Sequence, residues 1–228
     1  MKKLTIIIPV FNEKNTVATL IERVRTAGTG EYTKQIIIVD DGSNDGTEAV
    51  LRGIAGEDIT LIRHEKNKGK GSAVRTALER TTGELTIIQD ADLEYDPGEY
   101  KNIILAYAAG HPIVYGSRNL KKTGRGYFFA YIGGRFLTAL ANTLFGSRLT
   151  DINTGYKLFE TGILKQLGIR ADRFDFCEEV TAKALRAGYP ITEIPISYTP
   201  RTFSEGNKIR AMDGVRGIWM LVRTKLGK

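Results

Sequence analysis

Two pairs of acidic residues stand close together in the first hundred residues. Asp40 and Asp41 begin an Asp-Asp-Gly-Ser run, and only Ala91 separates Asp90 from Asp92. Each pair follows a run of apolar residues typical of a buried strand, so each would lie just past a strand end. Carboxylate oxygens combined with substrate phosphates are the ligands that Mg²⁺ prefers. The second pair therefore predicts a site for a divalent metal and a diphosphate.

Both acidic pairs also have a plain structural interpretation, because Asp, Gly and Ser are common turn residues. A carboxylate at position 40 or 41 could instead accept a hydrogen bond from a nucleotide base or a ribose hydroxyl. The first strand is not followed by Gly-X-Gly-X-X-Gly, and the sequence has no Gly-Lys-Ser/Thr phosphate loop. These two absences disfavour dehydrogenases and P-loop kinases.

Lysine alternates with asparagine and glycine at residues 66–71, which lead into a predicted helix. The amides at a helix N-terminus can bind an anion, and Lys70 would add a positive charge there. The alternative is a basic surface loop. The sequence leaves both interpretations open.

The order of the predicted elements indicates an α/β fold with a doubly wound, mostly parallel sheet. Short β-branched runs alternate with amphipathic segments, which is typical of βαβ units. In such sheets ligands bind beyond the carboxyl ends of the strands, where the acidic pairs stand. The predicted strands are 4–8, 35–39, 59–62, 85–88, 113–115, 156–159 and a pair within 191–198; the predicted helices are 15–25, 45–51, 71–80, 127–145, 178–186 and 211–225.

We expect one domain over residues 1–210 and a C-terminal amphipathic helix over 211–228. The helix at 127–145 is nearly all apolar but is interrupted by polar residues and glycines, so we expect it to be buried or to lie on a membrane surface. The terminal helix has basic residues and one apolar stripe, which would pack on the domain or bind a membrane surface. That stripe consists of Met212, Val215, Trp219, Val222 and Leu226.

Composition limits the remaining possibilities. The 228 residues include one cysteine, Cys177, which excludes an internal disulfide. The N-terminus has no signal-peptide pattern, so we expect a cytoplasmic protein, with the cytoplasmic membrane face as a further possibility. The net charge of +7 favours anionic partners. No nucleic-acid-binding module is recognisable, and we expect no nucleic-acid partner.

The ordered motifs at residues 9–13, 39–47 and 90–92 resemble those of inverting, metal-dependent family 2 glycosyltransferases with a GT-A fold. Further motifs at 116–118, 151–159 and 201–209 resemble the dolichol-phosphate or polyprenyl-phosphate mannosyl- and glucosyltransferase branch. The resemblance covers nearly the whole chain. It implies a nucleotide-sugar half over residues 1–116 and an acceptor half over 117–210.

The resemblance also implies roles for individual residues. The metal, Mg²⁺ or Mn²⁺, would be held by Asp90, Asp92 and Glu94. The predicted catalytic residues are Asp92, Arg118, Asp151 and Arg201. The predicted nucleotide-sugar-binding residues are Pro9, Phe11, Asn12, Glu13, Asp40, Asp41, Lys70, Asp90, Ala91, Asp92, Arg118, Arg201 and Lys208.

The expected reaction transfers mannose from GDP-mannose to a polyprenyl or dolichyl phosphate. Because a phosphate acceptor is already ionised near neutral pH, it needs no general base. A soluble hydroxyl acceptor would need one, and Asp151, Glu178 and Glu179 are the candidates. UDP-glucose is the alternative donor. A nucleotidyltransferase fits less well, because residues 9–13 lack the Gly/Arg/Lys-rich loop that it would need. The sequence has none of the C-terminal membrane spans of many relatives, so we expect peripheral membrane contact.

Overall fold

The computed structural model describes residues 2–121, 128–201 and 211–227, with side chains from residue 131 in the second range and 212 in the third. Within these ranges seven strands form one sheet in the order β3-β2-β1-β4-β6-β5-β7. The strands are β1 Lys3–Val10, β2 Thr33–Asp40, β3 Ile59–Arg63, β4 Leu85–Ile88, β5 Ile113–Ser117, β6 Lys157–Glu160 and β7 Thr192–Pro195. The helices are α1 Val17–Thr26, α2 Thr47–Ile54, α3 Lys70–Leu78, α4 Tyr100–Ala108, α5 Phe128–Phe145, α6 Thr161–Gln166, α7 Phe176–Arg186 and α8 Ala211–Lys225.

Both faces of the sheet are covered by helices, which explains the continuous apolar runs in its strands. In β1, Ile6 and Ile8 pack beneath α1, α2 and α4. Ile7 points to the opposite face, beneath α3, α6 and α7. Successive side chains of a strand alternate between faces, so a strand with two buried faces must be apolar throughout.

The strand β6 runs against its neighbours. It pairs antiparallel with both β4 and β5, and Lys157 at its start lies opposite Ile88 at the end of β4. The other strand pairings of the sheet, all within the described residues, are parallel. The prediction of a mostly parallel α/β sheet is therefore confirmed, and the reversed strand brings the loop before it to the edge where β4 ends.

Two features of the element prediction were incomplete or wrong. Helices α4 and α6 were not predicted, although the turn before α4 contains a start signal: Asp96 accepts a hydrogen bond from the Gly98 amide, with Pro97 between them. The strand pair at 191–198 is one short strand, β7. It ends at Pro195, and one further backbone hydrogen bond joins the Ile196 amide to the Ser117 carbonyl.

The terminal helix α8 packs against α5 and α7. Its buried side consists of Gly217, Met220, Leu221 and Thr224. The apolar stripe predicted from the sequence lies on the other side and is exposed. None of the helices in the described ranges is both long and apolar enough to cross a membrane.

Candidate active site

The residues Asp90 and Asp92 lie in a tight turn directly after β4. Leu93 has a positive φ of 62°, which bends the chain so that the Glu94 amide donates to Asp92 Oδ1 at 3.1 Å. Lys70, at the start of α3, donates to Asp90 Oδ1 at 2.5 Å. Two carboxylates and an ammonium group therefore meet at the carboxyl edge of β4. The position of the two acids at this strand end was expected from the sequence, and the contact with Lys70 was not.

A glycine makes room for this arrangement. A Cβ atom at Gly155, in the loop before β6, would overlap Asp90 Oδ2 and would lie 3.1 Å from Lys70 Nζ. The Gly155 amide also donates to the Tyr95 hydroxyl at 3.0 Å. The sequence analysis did not identify Gly155, because its importance depends on a contact between residues 65 positions apart in the chain.

Arg201 contacts three carboxylates. It donates to Glu13 Oε2 through Nη1 and to Glu13 Oε1 through Nη2, at 2.9 and 3.0 Å. Its Nη2 lies 3.4 Å from Asp92 Oδ2, and its backbone amide donates to Glu94 Oε1 at 3.0 Å. Glu94 also accepts a hydrogen bond from the Tyr198 hydroxyl at 3.0 Å. Four predicted site residues are thus brought together from opposite ends of the chain.

A second arginine, Arg118, lies at the end of β5. Its side chain donates to both carboxylate oxygens of Asp151, at 2.7 and 2.8 Å, and its guanidinium carbon lies 5.2 Å from the centre of the Tyr198 ring. Burial alone would raise the pKa of Asp151, but Arg118 holds it below its usual value. Glu193 on β7 accepts hydrogen bonds from the backbone amides of Thr150 and Asp151. Both members of the pair are therefore held in a fixed orientation.

Tyrosines connect the Arg118 pair with the acidic turn. Tyr95 stacks on Tyr156, with ring centres 5.4 Å apart, and meets Tyr198 at 5.5 Å. Its hydroxyl interacts electrostatically with both Arg118 and Asp90, and burial raises its pKa well above the usual value. These rings form a layer of packed aromatic side chains between the two charged groups. The sequence analysis did not identify any of the three tyrosines.

The two acids at the end of β2 have different environments. Asp41 accepts hydrogen bonds from the amides of Lys68 and Gly69 and from His64 Nδ1, so both of its oxygens have protein partners. Asp40 Oδ1 accepts from the Ser43 amide at 2.9 Å. Its other oxygen, Oδ2, is buried, and no hydrogen-bond donor among the described residues reaches it, although Arg63 Nε lies 3.4 Å away. A ligand N–H group could use that oxygen.

The loop after β1 is fixed to the loop after β2. Asn12 has a positive φ of 53°; its amide donates to Ser43 Oγ and its Oδ1 accepts from the Asn44 amide, both at 2.9 Å. Pro9, still within β1, pairs in register with Val39. Phe11, just after β1, is partly exposed to solvent, whereas Ala91, in the turn after β4, is buried.

Several amides around the start of α3 already have protein partners. The Ser72 amide donates to the carbonyl of Asp172 at 3.0 Å, and the carbonyl of Ala171 occupies the space that a side chain at Gly71 would need. The Lys68 and Gly69 amides are used by Asp41. Lys70 is the part of this segment that reaches the acidic turn.

The remaining predicted residues are Glu178, Glu179 and Lys208. Glu179 accepts hydrogen bonds from the amides of Arg170 and Ala171, a structural role within the 170–179 loop and helix. Glu178 is buried and accepts a hydrogen bond from Asn153. Lys208 lies outside the described residues.

The acidic turn has the chemistry of a divalent metal site that substrate oxygens would complete. Burial and repulsion from Asp90 and Glu94 raise the pKa of Asp92 to about 7, so a nearby cation would favour its ionised form. The described residues contain no cluster of three or more His, Cys, Asp or Glu side chains suited to holding a metal alone. Mg²⁺ commonly binds through one or two carboxylates together with substrate phosphates. The residues present fit that mode.

Comparisons with known proteins agree with this geometry. A family model described as glycosyl transferase family 2 matches residues 5–168. The chain is 27% identical to a UDP-N-acetylglucosamine–dolichyl-phosphate N-acetylglucosaminyltransferase from Methanococcus voltae, with 100% of this chain and 98% of the relative covered. It is 29% identical to a polyprenol monophosphomannose synthase from Mycolicibacterium smegmatis, with 93% and 87% covered.

A solved structure shares the fold. Glucosyl-3-phosphoglycerate synthase from Mycobacterium tuberculosis, crystallised with Mn²⁺ and UDP-glucose, superposes with a TM-score of 0.73 at 18% identity, and the match covers 99% of this chain and 79% of that one. The family match spans most of the sheet and both acidic strand ends. The chain therefore belongs to glycosyl transferase family 2, and it is a glycosyltransferase with the GT-A fold.

Proposed function

We propose that this enzyme transfers a sugar from a nucleotide-sugar donor to a polyprenyl phosphate, with inversion at the anomeric carbon and dependence on Mg²⁺ or Mn²⁺. Residues 1–116 of a single domain spanning 1–210 form the donor half, and residues 117–210 form the acceptor half. The observation that carries the proposal is the acidic turn of Asp90 and Asp92, with Lys70 and Arg201 directly beside it.

The donor diphosphate binds at this turn. Asp90 and Asp92 hold the metal, with Glu94 as a further oxygen ligand beside them. When bound, the metal supplies charge neutralisation for the nucleoside diphosphate as it leaves. Lys70 and Arg201 donate hydrogen bonds to the same phosphates, and arginine suits this role because its planar guanidinium meets two oxygens at once. The base lies near the loops after β1 and β2, where Asp40 Oδ2 accepts one of its N–H groups.

The ion pairs of the site favour a phosphate acceptor. Asp151 is paired with Arg118, Glu13 with Arg201 and Asp90 with Lys70. A carboxylate that is held in such a pair is a weak base, because the cation stabilises its charged form. A phosphate monoester needs no base, since its oxygen is ionised near neutral pH. Arg118 holds the acceptor phosphate, whose oxygen attacks the anomeric carbon from the side opposite the leaving diphosphate.

The names of the two relatives support this acceptor class and differ in the donor. Both name a lipid acceptor, a dolichyl phosphate in one and a polyprenol in the other. We propose GDP-mannose as the donor, because the relative with the higher identity, 29%, is a monophosphomannose synthase. The Mn²⁺ in the similar solved structure supports the use of a divalent metal.

The test measures nucleoside diphosphate release from GDP-mannose, UDP-glucose and UDP-N-acetylglucosamine. Each donor is incubated with Mg²⁺ or Mn²⁺, with and without a polyprenyl phosphate in detergent. We expect release from GDP-mannose that requires the lipid and is abolished by EDTA. Transfer of mannose to the lipid is confirmed by mass spectrometry of the extracted product.

Matched variants separate catalysis from folding. Asp92→Asn should abolish release, whereas Asp58→Asn, an exposed ion-pair partner of Arg25 far from the acidic turn, should retain it. Lipid-dependent release from another donor would change the proposed donor sugar but would still support transfer to a polyprenyl phosphate. Release that is independent of the lipid but requires a sugar hydroxyl would indicate that the acceptor is a soluble sugar and not a phosphate.

A further inference from the structure

Large apolar side chains are exposed mainly on two helices. The described residues expose twelve such side chains, and nine of them lie on α5, on α8 or directly after α8. These nine are Tyr131, Ile132, Phe136, Met212, Val215, Ile218, Trp219, Val222 and Leu226. Soluble proteins rarely concentrate exposed apolar residues on one patch unless the patch binds something.

Helix α8 has two apolar stripes rather than one. The first, which includes Met220 and Leu221, is buried against α5 and α7. The second is the stripe predicted from the sequence, and it remains exposed: Val215 is 59% and Trp219 is 55% accessible. Packing on the domain therefore leaves the apolar side chains of this stripe largely open to solvent.

The charges of these helices are almost all positive. Across α5 and α8 the sequence contains four cations, Arg135, Arg216, Arg223 and Lys225, and one acid, Asp213. Arg223 lies over the Trp219 ring, with its guanidinium carbon 4.7 Å from the ring centre. A partner for this face must therefore combine an apolar interior with negative charge at its surface.

We propose that the exposed face of α5 and α8, which we call the α5–α8 face, lies on the surface of an anionic lipid bilayer. The apolar stripe enters the boundary between headgroups and acyl chains, and the cations contact acidic headgroups. Trp219 and Tyr131 suit this depth, because their rings are amphipathic. The helices lie in the plane of the surface, consistent with the finding that no described helix is suited to cross the bilayer.

A second copy of the chain fits this face less well. Symmetric pairing would bring Arg216 and Arg223 of each copy towards the same cations of the other, with one acid per α8 to offset them. The net charge of +7 adds to this repulsion. An anionic bilayer satisfies both the apolar and the charged groups.

The single tryptophan provides a direct test, because Trp219 lies within the proposed contact. The full chain is titrated with vesicles of phosphatidylcholine alone or with phosphatidylglycerol, both free of polyprenyl phosphate. We expect a blue shift of Trp219 emission, and quenching by brominated acyl chains, with the anionic vesicles only. High salt should weaken binding to them.

Two pairs of variants complete the test by vesicle co-sedimentation. Val215→Glu should lower the partition coefficient at least tenfold, whereas Leu105→Glu, at a residue of α4 that is 58% exposed, should not change it. Arg216→Glu should lower it about fivefold, and Lys101→Glu, at an exposed residue of α4, should have little effect.

The proposal would be overturned by equal emission with and without vesicles, or by equal losses in the variants and their α4 controls. A concentration-dependent blue shift without lipid, together with a dimer mass in light scattering, would assign the face to self-association. Failure here leaves the proposed reaction untouched, because that reaction is assayed with lipid dissolved in detergent and these vesicles lack the acceptor.

Discussion

The guanidinium of Arg201 forms two parallel hydrogen bonds with the carboxylate of Glu13, 188 residues earlier in the chain. Glu13 belongs to the loop after β1, and Arg201 follows β7 at the far end of the sheet order. The same guanidinium lies 3.4 Å from Asp92. The pair therefore joins the loop after β1 to the segment that follows β7.

Replacing Arg201 with lysine should impair use of the donor. A lysine carries the charge but cannot form both hydrogen bonds to Glu13 while staying beside Asp92. Charge-assisted hydrogen bonds of this kind contribute about 1.5–3 kcal/mol each, so we expect kcat/KM for the nucleotide sugar to fall roughly 10- to 100-fold. The measurement is steady-state release of nucleoside diphosphate.

Arg25 provides the control for Arg201. It also forms two hydrogen bonds with one carboxylate, that of Asp58, but lies at the end of α1. Arg25→Lys should change kcat/KM less than about twofold, since surface pairs contribute little. Equal effects of the two substitutions would show that Arg201 acts only on stability.

Adding a methyl group at Gly155 should inactivate the enzyme. The Cβ atom of Gly155→Ala would overlap Asp90 Oδ2 and displace that carboxylate from the turn. We expect kcat/KM to fall more than about 100-fold, because misplacement by about 1 Å at a reacting centre has effects of this size. Gly162→Ala on α6 has open space around its new Cβ and should retain full activity. An active Gly155→Ala enzyme would contradict the placement of Asp90 in the site.

Changes to the Arg118–Asp151 pair should alter the kinetic parameters for the acceptor rather than those for the donor. Arg118→Lys removes the two-point contact with Asp151 and, under the proposed function, a two-point contact with the acceptor phosphate, so kcat/KM for the lipid should fall roughly tenfold or more. The KM of the nucleotide sugar should stay the same. A rise in the donor KM with unchanged use of the lipid would move Arg118 into the donor half.

Asp151→Asn tests the same pair through stability. The substitution leaves the largely buried Arg118 without its counter-charge, which should lower the unfolding free energy by about 2–3 kcal/mol after allowance for the exposed part of the guanidinium. Urea denaturation followed by circular dichroism measures this loss. An unchanged midpoint would show that the pair is solvated more than its burial indicates.

Glu178 should make stability depend on pH. Burial raises its pKa from 4.5 to about 7. The native state therefore holds a proton that the unfolded chain releases above pH 4.5, and the associated stability is complete below pH 4.5 and lost as pH rises towards 7. We expect the unfolding free energy of the wild type to fall by up to about 3 kcal/mol relative to Glu178→Gln over this window. If the unfolding free energies of the two proteins depended on pH in the same way, Glu178 would be ionised in the folded state.

The strand ends were the part of the site that the sequence predicted well. Buried strands of a parallel sheet must be apolar, so the polar residues that follow them, such as Asp40 and Asp90, stand out in the sequence. The ordered motifs at these ends then resembled one family, and the family match confirmed it. These signals are local, which is why the sequence alone was sufficient.

The partners of these residues could not be predicted in the same way. His64 and the two amides that bind Asp41 belong to a separate loop, and nothing in the local pattern links them. The helical spacing of α8 identified one apolar stripe, but the stripe that is buried contains Gly217 and Thr224, which are weak hydrophobic signals. Such pairings depend on tertiary packing, which overrides local preference.

The reversed direction of β6 determines which loop this strand contributes to the site. A parallel strand delivers to the site the residues that follow it, whereas β6 delivers the loop that precedes it, including Asp151 and Gly155. Under the proposed function, insertions elsewhere in that loop would alter the acceptor side without shifting the register of β1, β2 and β4, which present the proposed donor residues. Acceptor preference could then diversify while donor chemistry is retained, and this loop would be the segment to exchange when a new acceptor is sought.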